Sequence, residues 1–376
     1  MIAQTRPSGR GGTRWISTAV LVVILGGAAP AWATKHLTVI QEVFVGPPGD
    51  GTNPGLTPDQ RAQYVMIRMT SAGQNLVANT VVRVEDRDGN VLGSFGRFPA
   101  NVANGGSACS YPNCPAIIMG TQAAKNLFSF AFDAIVDGQA GRVAIPAAGG
   151  RACFKDNASA QVYDCVAWGN FSCTPANCPG GPNTFHTGDI NTPPAGNGCD
   201  SNFGTPIGTA SGLTYGRSAA RSAFNCAAKE NSTQFALQFP RPVNNAGTSD
   251  NTDSDADTLI NVLDCNDAST TLLWPPTEVQ DQTVTGRPSS TDAWASQSGT
   301  SGSGIAYDEV RGTLANVKNF SDAGCSNPNN PSTSSVDPNL PPAGNGFYYL
   351  VRADGGPGCT GTYGTGRDAS LSATCP

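Results

Sequence analysis

Asp253-Ser254-Asp255-Ala256-Asp257-Thr258-Leu259-Ile260-Asn261-Val262-Leu263-Asp264-Cys265-Asn266-Asp267 divides the chain, because the residues before and after it read as separate β-rich material. Carboxylates at relative positions 1, 3, 5 and 12 have the spacing of a calcium loop, in which alternate side chains converge on one hard cation. Asp253, Asp255 and Asp257 supply the first three, the Leu259 carbonyl falls at position 7, Asn261 at the water-bridged position 9, and Asp264 closes the sphere. Without a cation, neighbouring pairs among the carboxylates of Asp250, Asp253, Asp255 and Asp257 repel by roughly 0.5–1 kcal/mol even in water, so an ordered fold here implies a counter-ion. The alternative is a solvated acidic linker that binds nothing specifically.

Two positions depart from the usual loop. Thr258 stands where Gly normally permits the sharp turn, at a cost of about 1 kcal/mol if it turns left-handed, and Asp264 replaces the usual Glu. Asp at the twelfth position resembles dockerin and thrombospondin type 3 loops. The run Asp264-Cys265-Asn266-Asp267 resembles the "DCxD" segment of metal-binding repeats in bacterial surface proteins, which adds Asp267 to the candidate ligands. The expected cofactor is Ca2+, in a connector over residues 248–273.

At the amino terminus, Arg6, Arg10 and Arg14 precede the apolar run Ala19 to Leu25, and Ala31-Trp32-Ala33 offers a small-x-small cleavage site, the pattern of an export signal over residues 1–33. Removing it takes away three Arg and no acidic residue, leaving 19 basic against 28 acidic side chains and a formal charge of −9. No basic stripe is present to bind phosphates, so nucleic acid is not an expected partner. Nor does any stretch approach the ~20 apolar residues of a membrane span. The expected location is secreted or displayed at the cell surface. With 45 Gly, 28 Pro and 13% charged residues, short strands and long loops are favoured over helices.

Twelve Cys without a Cys-x-x-Cys spacing, in an exported chain, imply disulfides. Cys109/Cys114, Cys153/Cys165, Cys173/Cys178 and Cys199/Cys226 are close enough for local staples, whereas Cys265, Cys325, Cys359 and Cys375 allow three pairings that the sequence leaves open.

Before the acidic stretch, strands are expected at 37–45, 64–69, 81–86, 91–95, 116–119, 141–145, around Cys153-Phe154, at 164–171 and at 234–238. Asp88-Gly89 accepts the positive φ of a tight turn, which makes 81–95 an antiparallel hairpin. Thr121 to Phe130 reads as a packing helix, with Thr121 as cap and Ala124, Leu127 and Phe128 at helical spacing. Short strands between turn signals argue for a sandwich. The order of Ile40-x-Glu42-Val43, Gln63 to Met69, Cys165 to Phe171, Ser211 to Arg217 and the closing "FALQFPRPVNNAG" resembles a bacterial lamin-tail-type domain, an immunoglobulin-like sandwich, over residues 34–247. The Pro/Gly/Asn-rich loop from Cys173 to Thr209 reads as disulfide-stapled surface, with partner contact the alternative.

After it, Trp274 to Val279, Ala293 to Ala295, Tyr307 to Gly312, Phe347 to Ala353 and Gly361 to Gly364 resemble successive strands of a fibronectin type III domain over residues 274–376. Asp292 and Glu309 stand where that family usually carries apolar side chains. An unpaired buried carboxylate shifts its pKa and neutralises, so either the strands are offset or these positions lie at edges. Asn319 to Pro342 reads as an irregular loop and Gly299 to Gly304 as a flexible linker. Trp294, Tyr307, Tyr349 and Tyr363 read as core aromatics rather than a sugar-binding platform.

Catalysis has little to draw on. Of two His, His36 is near the expected mature terminus and His186-Thr187-Gly188-Asp189 lies in the long loop; no zinc-protease, nucleophile-elbow or phosphate-loop motif occurs. The fold expected is all-β: two immunoglobulin-like antiparallel sandwiches joined by an Asp-rich loop and stapled by disulfides. The function expected is non-enzymatic binding, adhesion or scaffolding toward an unidentified protein or glycan ligand, with a calcium-rigidified connector and an oligomeric state the sequence leaves open. The alternatives are a secreted hydrolase, or a targeting module of one, acting on polysaccharide or protein, and a purely structural envelope protein.

Overall fold

Among the described residues, ten strands precede the acidic loop: β1 (Thr38–Phe44), β2 (Tyr64–Met69), β3 (Thr80–Asp86), β4 (Val91–Arg97), β5 (Ala116–Gly120), β6 (Ala134–Ile135), β7 (Gly149–Asp156), β8 (Val162–Gly169), β9 (Ser218–Arg221) and β10 (Phe235–Gln238). The computed structural model of the chain describes residues 35–53, 55–179, 186–189, 205–208, 212–224, 231–286, 289–364, 366–371 and 375; the expected export signal, the Cys199/Cys226 staple and part of the long loop lie outside them. The strands form a six-stranded sheet, β10-β9-β1-β2-β5-β6, and a four-stranded sheet, β4-β3-β7-β8. Between them Ile40, Val43, Val65, Ile67 and Met119 meet Val82, Val84, Phe95, Phe154 and Trp168 in one core. A strict period of two sends Ile40 and Val43 to opposite faces. A register shift between Ile40 and Glu42 returns both to the interior.

The other face of the six-stranded sheet is covered too. Helix α1 (Gln122–Phe128) starts where the Thr121 hydroxyl accepts the Ala124 N–H at 2.9 Å and stops at Ser129, whose φ of 57° is left-handed. Its Ala124 and Phe128 pack on Phe44, Tyr64 and Met66, and Leu259, Ile260, Leu263 and Trp274 join the same cluster. Burial on both faces explains why β2 reads Tyr-Val-Met-Ile without polar alternation. It also means that the acidic connector runs into the outer face of this sheet rather than standing free of it.

Six strands follow the loop among the described residues: β11 (Thr283–Thr285), β12 (Ser290–Ala293), β13 (Ala306–Thr313), β14 (Gly324–Asn330), β15 (Ser334–Asp337) and β16 (Phe347–Asp354). They make two three-stranded sheets, β11-β12-β15 and β14-β13-β16. Leu272, Trp294, Ile305, Tyr307, Val351 and Ala353 form a core there. Trp294, Tyr307, Tyr349 and Tyr363 are all buried, which makes them packing residues as expected. Residues 34–376 form one compact unit, predominantly β.

Five disulfides join described residues: the three expected local staples, together with Cys265–Cys359 and Cys325–Cys375, which settle the pairing the sequence left open.

Several local expectations are corrected. Residues 141–145 reach β4 only through an isolated bridge between Arg142 and Ser94 and do not continue as a strand, because the Gln63 side chain takes both backbone groups of Ile145, its Oε1 accepting the N–H and its Nε2 donating to the carbonyl, each at 2.9 Å. Trp274 to Val279 is not a strand either. Pro275 and Pro276 have no N–H to donate, and the Gln297 amide pairs with both backbone groups of Thr277 at 2.9 and 2.8 Å. Gly361 to Gly364 is likewise irregular, with the Tyr363 N–H bound to the Asp368 carboxylate at 2.7 Å. The expected irregular loop 319–342 contains β14 and β15. The expected linker 299–304 overlaps the helical turn Ser298–Ser301. There Gly302, at φ 95°, lies so close to the Thr271 carbonyl that a Cβ would stand 2.2 Å from it.

Asp292 and Glu309 are not at edges. Each lies on the central strand of its sheet and is 2% and 1% exposed respectively. Asp292 Oδ2 accepts from Gln282 Nε2 at 2.6 Å and Glu309 Oε1 from Ser326 Oγ at 2.6 Å. Burial, reinforced by the nearby charge of Glu309, pushes Asp292 up to about 6; burial alone does the same for Asp133. A carboxyl whose folded pKa lies above its unfolded value near ~4 holds its proton more tightly when folded, so its stability contribution grows as pH falls from 7 through 6 toward 4. The urea midpoint is therefore expected to rise between pH 7 and pH 5, and Asp292→Asn to flatten part of that rise.

Candidate metal centre in the acidic loop

Residues 251–258 alternate in exposure: Asn251, Asp253, Asp255 and Asp257 are half-buried, while Thr252, Ser254, Ala256 and Thr258 face solvent. Asp253, Asp255 and Asp257 each turn one carboxylate oxygen inward, and these oxygens lie within 4.8 Å of one another. The chain achieves this with left-handed residues at Ala256 (φ 64°) and Thr258 (φ 80°). Thr258 thus takes the conformation that a Gly usually supplies, and strain of about 1 kcal/mol persists only because neighbouring bonds hold it.

Each carboxylate divides its two oxygens between two tasks. Asp253 Oδ2 accepts the Thr258 N–H at 3.1 Å and an Arg241 Nη2 proton at 3.3 Å. Asp255 Oδ1 accepts the Asp257 N–H at 3.2 Å, and Asp257 Oδ1 accepts the Leu259 N–H at 2.7 Å. The remaining oxygens, Asp253 Oδ1, Asp255 Oδ2 and Asp257 Oδ2, are enclosed without a hydrogen-bond donor, and Asn251 Oδ1 shares that condition. Buried anionic oxygens without donors are costly, and a hard cation is what satisfies several at once. The cluster can hold a metal ion.

The remaining sequence candidates have distinct placements. Leu259 lends its side chain to the core on the outer face of the large sheet. Asn261 closes the loop: its N–H binds the Thr252 carbonyl at 2.7 Å, its Oδ1 accepts the Ser254 N–H at 2.9 Å, and its Nδ2 donates to Ser254 Oγ at 2.7 Å. Asp264 accepts the Asn266 N–H at 2.8 Å. Burial, followed by the charges of Asp257 and Asp255, pushes it up to about 6, which places it within electrostatic reach of the cluster though outside the three converging oxygens. Asp267 is exposed. Asn251, which the carboxylate spacing does not include, extends the same alternation two residues before Asp253.

Burial, then the charges of Asp255 and Asp253, raises the Asp257 carboxyl. Two arginines border the loop: Arg241, which also donates to the Thr258 carbonyl at 3.1 Å, and Arg217, whose guanidinium lies 3.4 Å from the centre of the Phe239 ring and whose charge acts on Asp257. The segment is anchored at its end by Leu259, Ile260 and Leu263 in the core and by Cys265–Cys359 to the residues after β16.

His186 and Asp189 do not form a side-chain pair. The Asp189 carboxylate is held by Arg83, with Nη1 2.7 Å from Oδ1, and by Lys155 at 3.7 Å, while His186 Nδ1 lies 3.1 Å from the Thr187 carbonyl oxygen. Compared with known proteins, the chain matches no family model, no curated protein and no solved structure.

Proposed function

We propose that the chain is an exported adhesion or scaffolding protein in which Ca2+, bound by the acidic loop, rigidifies the joint between two immunoglobulin-like sandwiches. The observation that carries this reading is the set of enclosed, donor-free oxygens on Asn251, Asp253, Asp255 and Asp257. An all-oxygen set without His or Cys suits a hard cation rather than a transition metal. The anchoring of the same segment by core leucines and by Cys265–Cys359 supports a mechanical role, because fixing the loop fixes both of its neighbours. Five disulfides support an oxidising destination.

Extracellular calcium modules have Kd values of about 0.1–1 mM, so occupancy needs millimolar calcium. At a hundredfold excess over Kd the folded state gains about 2.7 kcal/mol. Thermal melts are accordingly expected to shift upward by several degrees in 10 mM calcium and back with chelator. An identical melting temperature under both conditions would leave a solvated acidic linker.

A further inference from the structure

A cleft of about 550 Å³ opens between the two halves, within the usual size of small-molecule sites. Its walls differ in chemistry. Pro48, Leu213 and Tyr215 from the first half make an apolar side, and Glu278, Gln280 and Ser296 from the second make a polar one.

Both walls are held in place from behind. The Tyr215 hydroxyl oxygen accepts a hydrogen bond from Arg61 Nη1 at 3.2 Å, and its ring lies so close to Gly51 that a Cβ there would stand 2.6 Å away. The following Gly216 donates its N–H to the Gly46 carbonyl at 2.8 Å. Across the cleft, the Gln297 amide locks Thr277 through both backbone groups. A site fixed in this way loses little conformational entropy on binding.

The same contacts restrict the ligand. Among the described residues no basic side chain lines the cleft, which disfavours anions, and the one carboxylate they place there, Glu278, has Arg367 3.9 Å away, which weakens its pull on a cation. A peptide backbone docking as an added strand needs free N–H and C=O groups. Thr277, the lining residue whose segment runs along that wall, has both committed to Gln297. What remains is a neutral molecule with an apolar face and a rim of hydroxyls. Pyranose rings have that form: their C–H face packs on an aromatic ring while hydroxyls bond to carboxylate and amide oxygens.

We propose that this cleft binds a neutral oligosaccharide, with Tyr215 as the packing surface and Glu278 and Gln280 as partners for its hydroxyls. The inference rests on the reading of the chain as an extracellular binding protein and names its ligand class. The test is calorimetric titration of the full chain, in calcium buffer, with neutral tetrasaccharides of β-1,4-linked glucose, xylose and N-acetylglucosamine and of α-1,4-linked glucose. The same panel is run against Tyr215→Ala and Ser296→Trp. Ser296 is exposed at the cleft, so the Trp blocks it without entering a core.

At least one sugar is expected to bind, and both variants to weaken it by about tenfold or more while Ser296→Trp melts as the parent does. Absence of binding across the panel, or binding that Ser296→Trp leaves unchanged, would overturn the proposal. Calcium-dependent melting reports the acidic loop independently, so an empty cleft beside an intact calcium shift removes the sugar and leaves the joint.

Discussion

Arg221→Met is expected to lower folding stability by about 3–5 kcal/mol, because it strands a buried carboxylate. Arg221 on β9 and Asp164 on β8 belong to different sheets of the first half and meet across its interior, Nη2 to Oδ2 at 2.6 Å with both side chains fully buried. The same Asp164 oxygen accepts the Ile40 N–H at 2.7 Å, and Arg221 Nε donates to the Ile40 carbonyl at 2.9 Å, so the pair fastens β1 as well. The guanidinium also lies 4.3 Å from the centre of the Phe235 ring, a contact that Met partly preserves. Loss of the charge is therefore separable from loss of packing. Adding Asp164→Leu to Arg221→Met removes the stranded charge and is expected to recover much of the loss, since a buried pair replaced whole by apolar groups is often neutral. Urea unfolding of the two single variants and the double variant measures this directly. A single variant within 1 kcal/mol of the parent would show that the pair does not bridge the sheets.

The second large effect is expected from Cys265→Ser with Cys359→Ser. This bridge spans a sequence separation of 94, and closing a loop of that length restricts the unfolded chain by about 4–5 kcal/mol on the chain-entropy account. The local staples Cys109–Cys114 and Cys173–Cys178 each have a separation of 5 and restrict it far less. Cys265 directly follows Asp264, and Cys359 is fully buried in the core of the second half, so the double variant also releases the end of the acidic loop. Equal losses on removing the long bridge and a short one, read from urea midpoints, would contradict this ordering.

Where local chemistry decides structure, the sequence was sufficient. Asp88-Gly89 made the β3–β4 hairpin legible, and Thr121 marked the start of α1. The spacing of Asp253, Asp255 and Asp257 identified the residues that converge. Where distant groups decide, it was not. Gln63 and Gln297 each occupy the backbone groups of a segment that reads as a strand, and nothing near Ile145 or Thr277 announces a side-chain amide 82 or 20 residues away. Strand β14, Gly-Cys-Ser-Asn-Pro-Asn-Asn, has no apolar alternation and exists because β13 pairs with it and Cys325 ties it to Cys375. Asn251 is not legible in the sequence, because an amide before a run of carboxylates reads as ordinary loop, and only the burial of its oxygen sets it apart.

The oxygens gathered by Asp253, Asp255 and Asp257 can hold a metal ion, and calcium is the ion proposed for them. Calorimetric titration of the chain with calcium tests it most directly, run beside an Asp255→Asn/Asp257→Asn variant that keeps the loop's shape while removing two charges. The expected result is one calcium per chain with a Kd of about 0.1–1 mM, abolished in the variant. No heat of binding in the parent, or the same heat in parent and variant, would contradict it.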